Sequence, residues 1–567
     1  MRKPALVLVA ATMLISLCTS VGVAQSHGSV AATTGAAALY DNLGDYHRTV
    51  STYLPRAQRY FDQGLRLLFA FNLEESERSF REAARIDPTC TACFWGAAMA
   101  LGPHINFPAT PERTVAAAAA AREAVRTAEN ATVVERGLAN ALVRRYSDPA
   151  PATPEAQTAL DTAYAEAMRA LAKLFPRDAD VLYLAAEALM NLHPWDLYET
   201  DGREKAWTKE IVTLLESALA QAPEHPGLCH LYIHAVEAST LPDRAVPAAE
   251  RLRARMPGAG HLVHMPSHIF QRVGRYADSS LANERAVAAD ATYLPDATGF
   301  MMYPMYAAHN HQFLWLAAMM EGRSAVAFSA AGDTADRLPL EMLRATPGFD
   351  GWKGYSVWTL VRFGQWVNAV ALPLPDGEFP YLLAVSRAAR GLALSRLGRS
   401  ALAATERSVA AELFAKIPAE AVEGFAPVST LSAIALALVD SELARAQGDF
   451  ATAVTKLEPA VMLEDGLRYN EPSDWYFPVR HILGATLLEA GRAADAEKVF
   501  RKDLEKNPEN GWSLTGLGAA LRRQGRENEA VAVDRRVALA WSRADLDLEK
   551  LAAPAERPAA VAAFKSR

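Results

Sequence analysis

The stretch GATLLEAGRAADAEKVFRKDLEKNP, residues 484–508, determines the fold class of this chain. This stretch contains small residues, one phenylalanine and a final proline. Their order is typical of a helix, a turn and a second helix that ends at the proline. Small residues occur where two helices of a hairpin cross closely, and proline occurs where the second helix ends. The residues that mark these slots are Gly484, Gly491, Ala496, Phe500 and Pro508. The slots recur 34 positions later at Gly518, Gly525 and Ala530, which predicts a repeated helical hairpin.

Further copies of this pattern occur along the chain. One near the N-terminus reads GLRLLFAFNLEESERSFREAARIDP, residues 64–88, and weaker copies pass through residues 391–403 and 448–453. The pattern resembles the tetratricopeptide-repeat family over most of the chain, from about residue 55 to 540. That resemblance implies an all-α fold, a right-handed superhelical solenoid of helix-turn-helix hairpins. Further similarity lies in the segments FNLEESERSFREAARIDP, EALMNLHPWD, HPGLCHLYIHAVEAS, GHLVHMPSHIFQRVGRY and HNHQFLW. Together they resemble a bacterial exported tetratricopeptide family with a histidine-rich central region, which implies the fold and assigns no chemistry.

Composition sets limits on the kind of protein. At 567 residues, of which 51% are apolar, the chain can bury a large helical core. The net charge of −7 is mild and no basic run is interleaved with aromatic residues, so nucleic acid is not an expected partner. We expect a signal peptide at 1–24, a linker at 25–52, a tetratricopeptide-like array with histidine-rich central hairpins at 53–345, a degenerate helical connection at 346–380, a C-terminal array at 381–545 and a tail at 546–567.

The N-terminus has the pattern of a secretory signal peptide. Arg2 and Lys3 precede an apolar stretch from Ala5 to Cys18, and a small-residue exit ends at Ala24. The alternative is a membrane anchor, for which about 14 apolar residues are short. We therefore expect cleavage near Ala24, no stable membrane span afterwards, and a periplasmic or secreted protein.

Histidines are concentrated in the middle of the chain. Of 13 histidines, eight fall between residues 225 and 311. Two His-x-x-x-His pairs, in CHLYIHAVEAS at 229–239 and in VHMPSHIFQRVG at 263–274, are 34 residues apart. Equal positions in consecutive repeats share a helix face, and neighbouring helices pack about 10 Å apart. The spacing predicts that these side chains line one wall of a solvent-facing groove.

We interpret this wall as a candidate metal site, because neutral imidazole is a common ligand of Zn, Cu and Fe. The predicted metal ligands are His230, His234, His261, His264, His268 and His309. His261, His264, His268 and Gln271 are spaced as one stripe along a single helix. Further candidate groove residues are Glu237, Gln271, His311 and Gln312.

Three functions are compatible with the sequence. The leading hypothesis is an exported binding protein that holds a transition metal in its groove. The second is a protein-interaction scaffold without metal, whose groove binds an unidentified protein or peptide. The third is a metal-dependent hydrolase or oxidase that uses the same histidines, with Glu237 as a base. Motifs of zinc proteases, serine hydrolases, phosphate loops and dinucleotide sites are absent from the sequence, so an enzyme would have to work through the histidine wall.

A cysteine pair and a glutamate give weaker signals. Cys90 and Cys93 could form a disulfide in an oxidising compartment, but cysteines three apart within a regular helix are poorly placed for one. We therefore favour small buried residues at the start of a helix. Glu187 in EALMNLHPWD could enter the groove as a carboxylate, although a solvated or capping role is the expectation.

Overall fold

The structure is a computed structural model that describes residues 37–151, 153–293 and 302–546. The predicted signal peptide, residues 294–301 and nearly all of the predicted tail lie outside the described residues. Within them, helix follows helix, and the ordered strands form a single two-stranded hairpin. The all-α class of helical hairpins is confirmed.

The chain divides into two compact units. Unit 1 comprises residues up to 269 together with 285–303, and unit 2 comprises residues 270–284 together with those from 304 onward. The helices up to the first division are α1 Pro55–Phe69, α2 Leu73–Ile86, α3 Thr91–Leu101, α4 Pro111–Arg126, α5 Val133–Leu142, α6 Pro154–Leu174, α7 Ala179–Asn191, α8 Thr208–Gln221, α9 Pro226–Val236, α10 Val246–Leu252, α11 Gly260–His264 and α12 Pro266–Arg272.

The remaining helices belong mainly to unit 2. They are α13 Tyr276–Tyr293, α14 Met302–Glu321, α15 Ser324–Arg337, α16 Leu340–Ala345, α17 Tyr355–Arg362, α18 Trp366–Ala371, α19 Pro380–Arg396, α20 Ser400–Phe414, α21 Val428–Ala446, α22 Phe450–Asp465, α23 Val479–Glu489, α24 Ala493–Lys506, α25 Gly511–Arg523 and α26 Glu527–Ala540. Strands β1 Val422–Glu423 and β2 Ala426–Pro427 pair antiparallel between α20 and α21.

A phenylalanine between two glycines sets the close approach of helices in unit 1. Phe80 on α2 lies between Gly64 on α1 and Gly96 on α3. A Cβ added at Gly64 would come within 2.8 Å of the Phe80 ring, and one added at Gly96 within 2.4 Å. No side chain larger than hydrogen fits at either position without displacing the ring, which explains why small residues recur in the sequence pattern.

Unit 2 repeats this arrangement around Phe500 on α24. A Cβ added at Gly484 on α23 would lie 2.4 Å from the ring, and one added at Gly516 on α25 would lie 2.2 Å from it. Gly518, which the sequence pattern placed in the slot of Gly484, would have no atom closer than 3.4 Å to an added Cβ. The predicted hairpin is confirmed, but Gly516 rather than Gly518 makes the close approach.

The histidine-bearing helices begin and end at prolines. Pro226 opens α9, where a missing backbone N–H costs nothing, and the His225 side chain caps the helix by accepting from the Leu228 N–H. Further on, α11 ends at His264 and α12 begins at Pro266. The stripe predicted on one helix from His261 to Gln271 therefore runs over two short consecutive helices, because proline lacks the N–H needed to continue the first one.

Residues 37–52 contain no helix, yet part of this predicted linker packs on unit 1. The Arg48 guanidinium donates to Asp178 at 2.8 Å and to Asp180 at 2.6 Å, and the Tyr46 hydroxyl donates to Asp180 at 2.8 Å. Among the described residues, no helix combines the length and apolar character needed to cross a bilayer.

Cys90 and Cys93 form a disulfide, with their Cα atoms 5.3 Å apart. The favoured sequence interpretation of two unpaired thiols is therefore wrong. Its premise was that both cysteines lie within a regular helix. Cys90 instead precedes α3 in an extended conformation, with φ −72° and ψ 97°, so the pair is free of the helical geometry that would separate the sulfurs.

Candidate metal centre

Three buried histidines of unit 1 bring ring nitrogens together. One nitrogen from each of His230, His234 and His261 lies within 4.8 Å of the other two. The first two are on α9, one helical turn apart, and the third is near the start of α11. Their exposed fractions are 0%, 5% and 2%. The site therefore combines side chains from two helices in a setting with little access to bulk water.

The hydrogen bonds of His230 and His234 determine which ring nitrogen carries the hydrogen. His230 Nδ1 lies 2.6 Å from the Phe69 carbonyl oxygen, and His234 Nδ1 lies 2.8 Å from Glu237 Oε1. Both partners can only accept, so each Nδ1 is the donor and each neutral ring keeps its lone pair on Nε2. Both Nε2 atoms are buried and have no hydrogen-bond partner within the described part of the chain.

Glu237 connects this group to a second pair of histidines. Its Oε2 accepts from His268 Nδ1 at 2.5 Å, while its Oε1 accepts from His234. The Nε2 atoms of His268 and His264 are 2.9 Å apart. Both carboxylate oxygens of Glu237 are thus engaged, and the prediction that Glu237 acts as a base conflicts with this geometry. The carboxylate instead fixes the orientation of two imidazole rings.

Burial and pairing set the charges. Burial lowers the pKa of His230 well below its ordinary value. Burial also lowers the pKa of His234, against the opposing pull of Glu237. For Glu237, burial favours the protonated form, but the contacts with His268 and His234 outweigh it and lower the pKa to about 2. At neutral pH, His230 and His234 are therefore neutral and Glu237 is ionised, the states that metal ligation requires.

Aromatic side chains cover the group. The Phe71 ring centroid is 4.3 Å from that of His230 and 5.7 Å from that of His261, and Trp195 lies edge-on to His234 at 5.2 Å. Phe71 and Trp195 both have positive φ, 55° and 56°, a conformation uncommon for bulky side chains. Strained backbone of this kind is concentrated at functional sites.

The predicted solvent-facing wall is therefore wrong for unit 1, where the five predicted ligands are all buried: His230, His234, His261, His264 and His268. The 34-residue spacing predicted that His264 and His268 lie beside His230 and His234, and the ring centroids of His234 and His268 are 5.5 Å apart. The third member of the group formed with His230 and His234 is His261.

The sixth predicted metal ligand, His309, belongs to unit 2, as do the predicted groove residues His311, Gln312 and Gln271. His309 Nδ1 is 2.9 Å from Gln312 Oε1, and Gln312 Nε2 lies 2.5 Å from the Tyr355 hydroxyl. Burial lowers the pKa of His311 to about 4. Gln312 thus takes part in the hydrogen-bonded core of unit 2.

Three buried polar residues of unit 1 lie outside the predicted site, namely Glu187, for which a groove-facing carboxylate was the less favoured interpretation, and His104 and Asn191, to which the sequence assigned no role. Burial raises the pKa of Glu187 to about 7, and Asn191 donates a hydrogen bond to it. The expectation of a solvated or capping Glu187 is therefore wrong, since its exposed fraction is 5%. The available signal was the pair of segments GPHINFP and EALMNLHPWD, in which polar residues sit among apolar ones.

The donor set suits a transition metal. Three imidazole nitrogens bound to one tetrahedral ion lie about 3.3 Å apart, so nitrogens within 4.8 Å of one another need only small ring movements to converge. An outer carboxylate or carbonyl that holds Nδ1–H is the usual support of a metal-binding histidine. Three neutral nitrogen ligands also leave a coordination position open.

Comparisons with known proteins give limited matches. No protein-family model matches the chain. Over 96 residues it is 38% identical to cellulose synthase operon protein C of Xanthomonas axonopodis pv. citri (strain 306), which is 17% of this chain and 6% of that relative. Among solved structures, a human IFIT1 dimer with PPP-AAAA is similar at 11% identity and a TM-score of 0.30, over 87% of this chain and 92% of that chain. Yeast Tom70 is similar at 10% identity and a TM-score of 0.29, over 85% and 92%.

Proposed function

We propose that this protein binds a transition-metal ion through the Nε2 atoms of His230 and His234 and a ring nitrogen of His261. The observation that carries the proposal is the state of the first two rings. Each donates its Nδ1–H to a buried acceptor and directs a bare Nε2 lone pair into a buried space. A buried lone pair without a partner costs free energy, about 1–3 kcal/mol, which a bound cation would offset.

The ligand set favours certain ions. Imidazole nitrogens suit Zn, Cu and Ni, whereas Mg and Ca prefer oxygen ligands. The group holds no thiolate, since the described cysteines are the Cys90–Cys93 disulfide and Cys229, whose sulfur lies 3.4 Å from the Pro223 carbonyl oxygen. Zinc is therefore the first ion to test, followed by copper and iron.

The protein is proposed to act outside the cytoplasm. The charged, apolar and small-residue order of residues 1–24 supports export. The Cys90–Cys93 disulfide adds support, because such bonds persist in oxidising compartments. An exported protein meets metal ions without the buffering of the cytoplasm, which suits a binding role.

The helical hairpins also fit a protein-interaction role, since arrays of this kind commonly bind other proteins. The two roles are compatible within one chain. A catalytic role needs more than binding, namely a substrate position next to the ion's open coordination position.

The proposal is tested by metal analysis of the mature chain produced without a histidine tag. The protein is stripped with chelator, loaded anaerobically with zinc, copper or iron, and then desalted. It should retain one ion per molecule at the site in unit 1. Retention should survive His193→Ala, which removes an unrelated histidine that stacks on Trp207 at 3.9 Å. Sub-stoichiometric retention of all three metals would defeat the proposal.

A further inference from the structure

A set of polar atoms lies beside the metal centre, across Phe71 and Trp195. The Phe71 ring contacts His104 at 4.9 Å and His230 at 4.3 Å, so it is shared by the two histidines. On the other side, Trp195 packs on His234, and its Nε1–H donates to Asn106 Oδ1 at 3.2 Å. These contacts link the proposed ion ligands, through the two aromatic rings, to the loop that carries His104.

His104 presents a hydrogen-bond donor. Its Nδ1 accepts from the Asn106 backbone N–H at 3.5 Å, so the hydrogen of the neutral ring is on Nε2. Burial lowers the pKa of His104 to about 3, which keeps the ring neutral at physiological pH. The residue is 8% exposed, and its Nε2 has no hydrogen-bond partner among the described residues. A buried N–H in this state requires an acceptor.

Asn191 and Glu187 present acceptors next to the same loop. The Asn191 side-chain nitrogen donates to Glu187 Oε1 and to the Pro103 carbonyl oxygen, the latter at 3.4 Å. Because both neighbours accept, the nitrogen must face them, and Asn191 Oδ1 points the other way. Asn191 Oδ1 and Glu187 Oε2 are both buried without a partner in the described ranges. Pro103 directly precedes His104, so donor and acceptors flank one short segment.

We propose that these groups form a subsite for a primary carboxamide that lies beside the bound ion. The carboxamide oxygen accepts from His104 Nε2–H, and its two N–H groups donate to Asn191 Oδ1 and Glu187 Oε2. A group that accepts once and donates twice matches this inventory of one donor and two acceptors. Above pH 7 the Glu187 carboxyl, whose pKa is about 7, is ionised, so a carboxylate ligand would meet two acceptors. An N,N-dialkyl amide has no N–H to donate. The inference rests on the proposed metal site and adds the ligand class to it.

The subsite is tested by ligand-observed ¹⁹F NMR with trifluoroacetamide as the probe and N,N-dimethyltrifluoroacetamide as its control. The control keeps the carbonyl and the trifluoromethyl group but lacks both N–H donors. In zinc-loaded wild-type protein at pH 8, where Glu187 is ionised, trifluoroacetamide should bind about tenfold more tightly than the control, because the control lacks two hydrogen bonds to buried acceptors. His104→Phe should weaken trifluoroacetamide about tenfold, whereas His193→Phe should leave its binding unchanged.

Zinc content, measured on the same samples, keeps the two proposals apart. Absence of zinc retention contradicts the metal site, whatever the probe does. Normal zinc retention with equal affinity for the two probes in wild-type protein overturns the carboxamide subsite, and means that the polar atoms hold water. Equal probe affinity in wild-type protein and His104→Phe overturns it as well. The comparison of probes on wild-type protein decides the matter even where a variant fails to fold.

Discussion

His481 in unit 2 and His234 in unit 1 are both buried and both contact a carboxylate, yet they differ at the second ring nitrogen. His481 Nε2 donates to Asp503 at 2.8 Å, and its Nδ1 accepts from Arg362 at 2.7 Å. His234 Nδ1 donates to Glu237 at 2.8 Å, and its Nε2 has no partner among the residues described. Both ring nitrogens of His481 therefore have hydrogen-bond partners within the protein. The Nε2 lone pair of His234 has none among the described residues.

The second ring nitrogen separates structural histidines from those with a nitrogen free to bind a ligand. Burial does not distinguish the two kinds of histidine, because the exposed fractions are 7% for His481 and 5% for His234. A carboxylate partner does not distinguish them either, because both histidines have one. The distinguishing feature is whether the nitrogen left after the first hydrogen bond is also satisfied. His225 follows His481 in this respect, since it accepts from Leu228 N–H and donates to Asp180.

The largest expected effect comes from removing the rings themselves. His230→Ala and His234→Ala should each lower zinc affinity about 100-fold or more, because each removes one of three ligands. His481→Ala should leave zinc affinity unchanged and lower the free energy of unfolding by about 1–3 kcal/mol, because Asp503 and Arg362 lose a partner. Competition with a chromophoric chelator measures the affinity, and urea denaturation of the metal-free proteins measures stability. Equal zinc affinity in all three variants would remove the distinction.

A smaller effect should follow from the carboxylates that hold the rings. Glu237→Gln should weaken zinc binding about 10–100-fold, since outer partners of metal-binding histidines contribute on this scale. Asp503→Asn, the matched change in unit 2, should alter only stability. The same competition titration measures both variants. Unchanged zinc affinity in Glu237→Gln would mean that Glu237 has a purely structural role.

The smallest effect concerns pH. Burial lowers the pKa of His230 and His234, so the unfolded chain takes up protons below about pH 6.5 while the folded protein does not. The stability of the metal-free protein should therefore fall as pH drops below about 6.5, by up to about 1.4 kcal/mol per pH unit for each such histidine. His234→Ala should reduce this slope in urea denaturation measured from pH 7 to 5. An unchanged slope would show that His234 has the same pKa in the folded protein as in the unfolded chain.

The hairpins could be predicted because they depend on local spacing. Gly484 and Phe500 are 16 positions apart and belong to one hairpin, so their contact follows from the repeat itself. The break at Pro266 was also present in the sequence. The prediction of one continuous helix through it was wrong because histidine spacing was given more weight than the missing N–H of proline.

The centre itself could not be assembled from the sequence. The Phe69 carbonyl that fixes the ring of His230 is 161 residues away along the chain, and the Pro103 carbonyl that orients Asn191 is 88 residues away. Every residue has a backbone carbonyl, so residue types alone do not indicate which carbonyl accepts a hydrogen bond. Sequence motifs therefore do not reveal these partners. The recurrence of histidines identified the region, and only the tertiary contacts identify which nitrogens are available.

Binding of a metal ion by the Nε2 atoms of His230 and His234 can be observed by anomalous diffraction at the zinc edge, from crystals of the untagged protein grown with zinc. We expect a peak about 2.0–2.1 Å from the Nε2 atoms of both residues, with their Nδ1 atoms still bonded to the Phe69 carbonyl and to Glu237. A peak bound through Nδ1, or no peak at these histidines in fully loaded crystals, would contradict it.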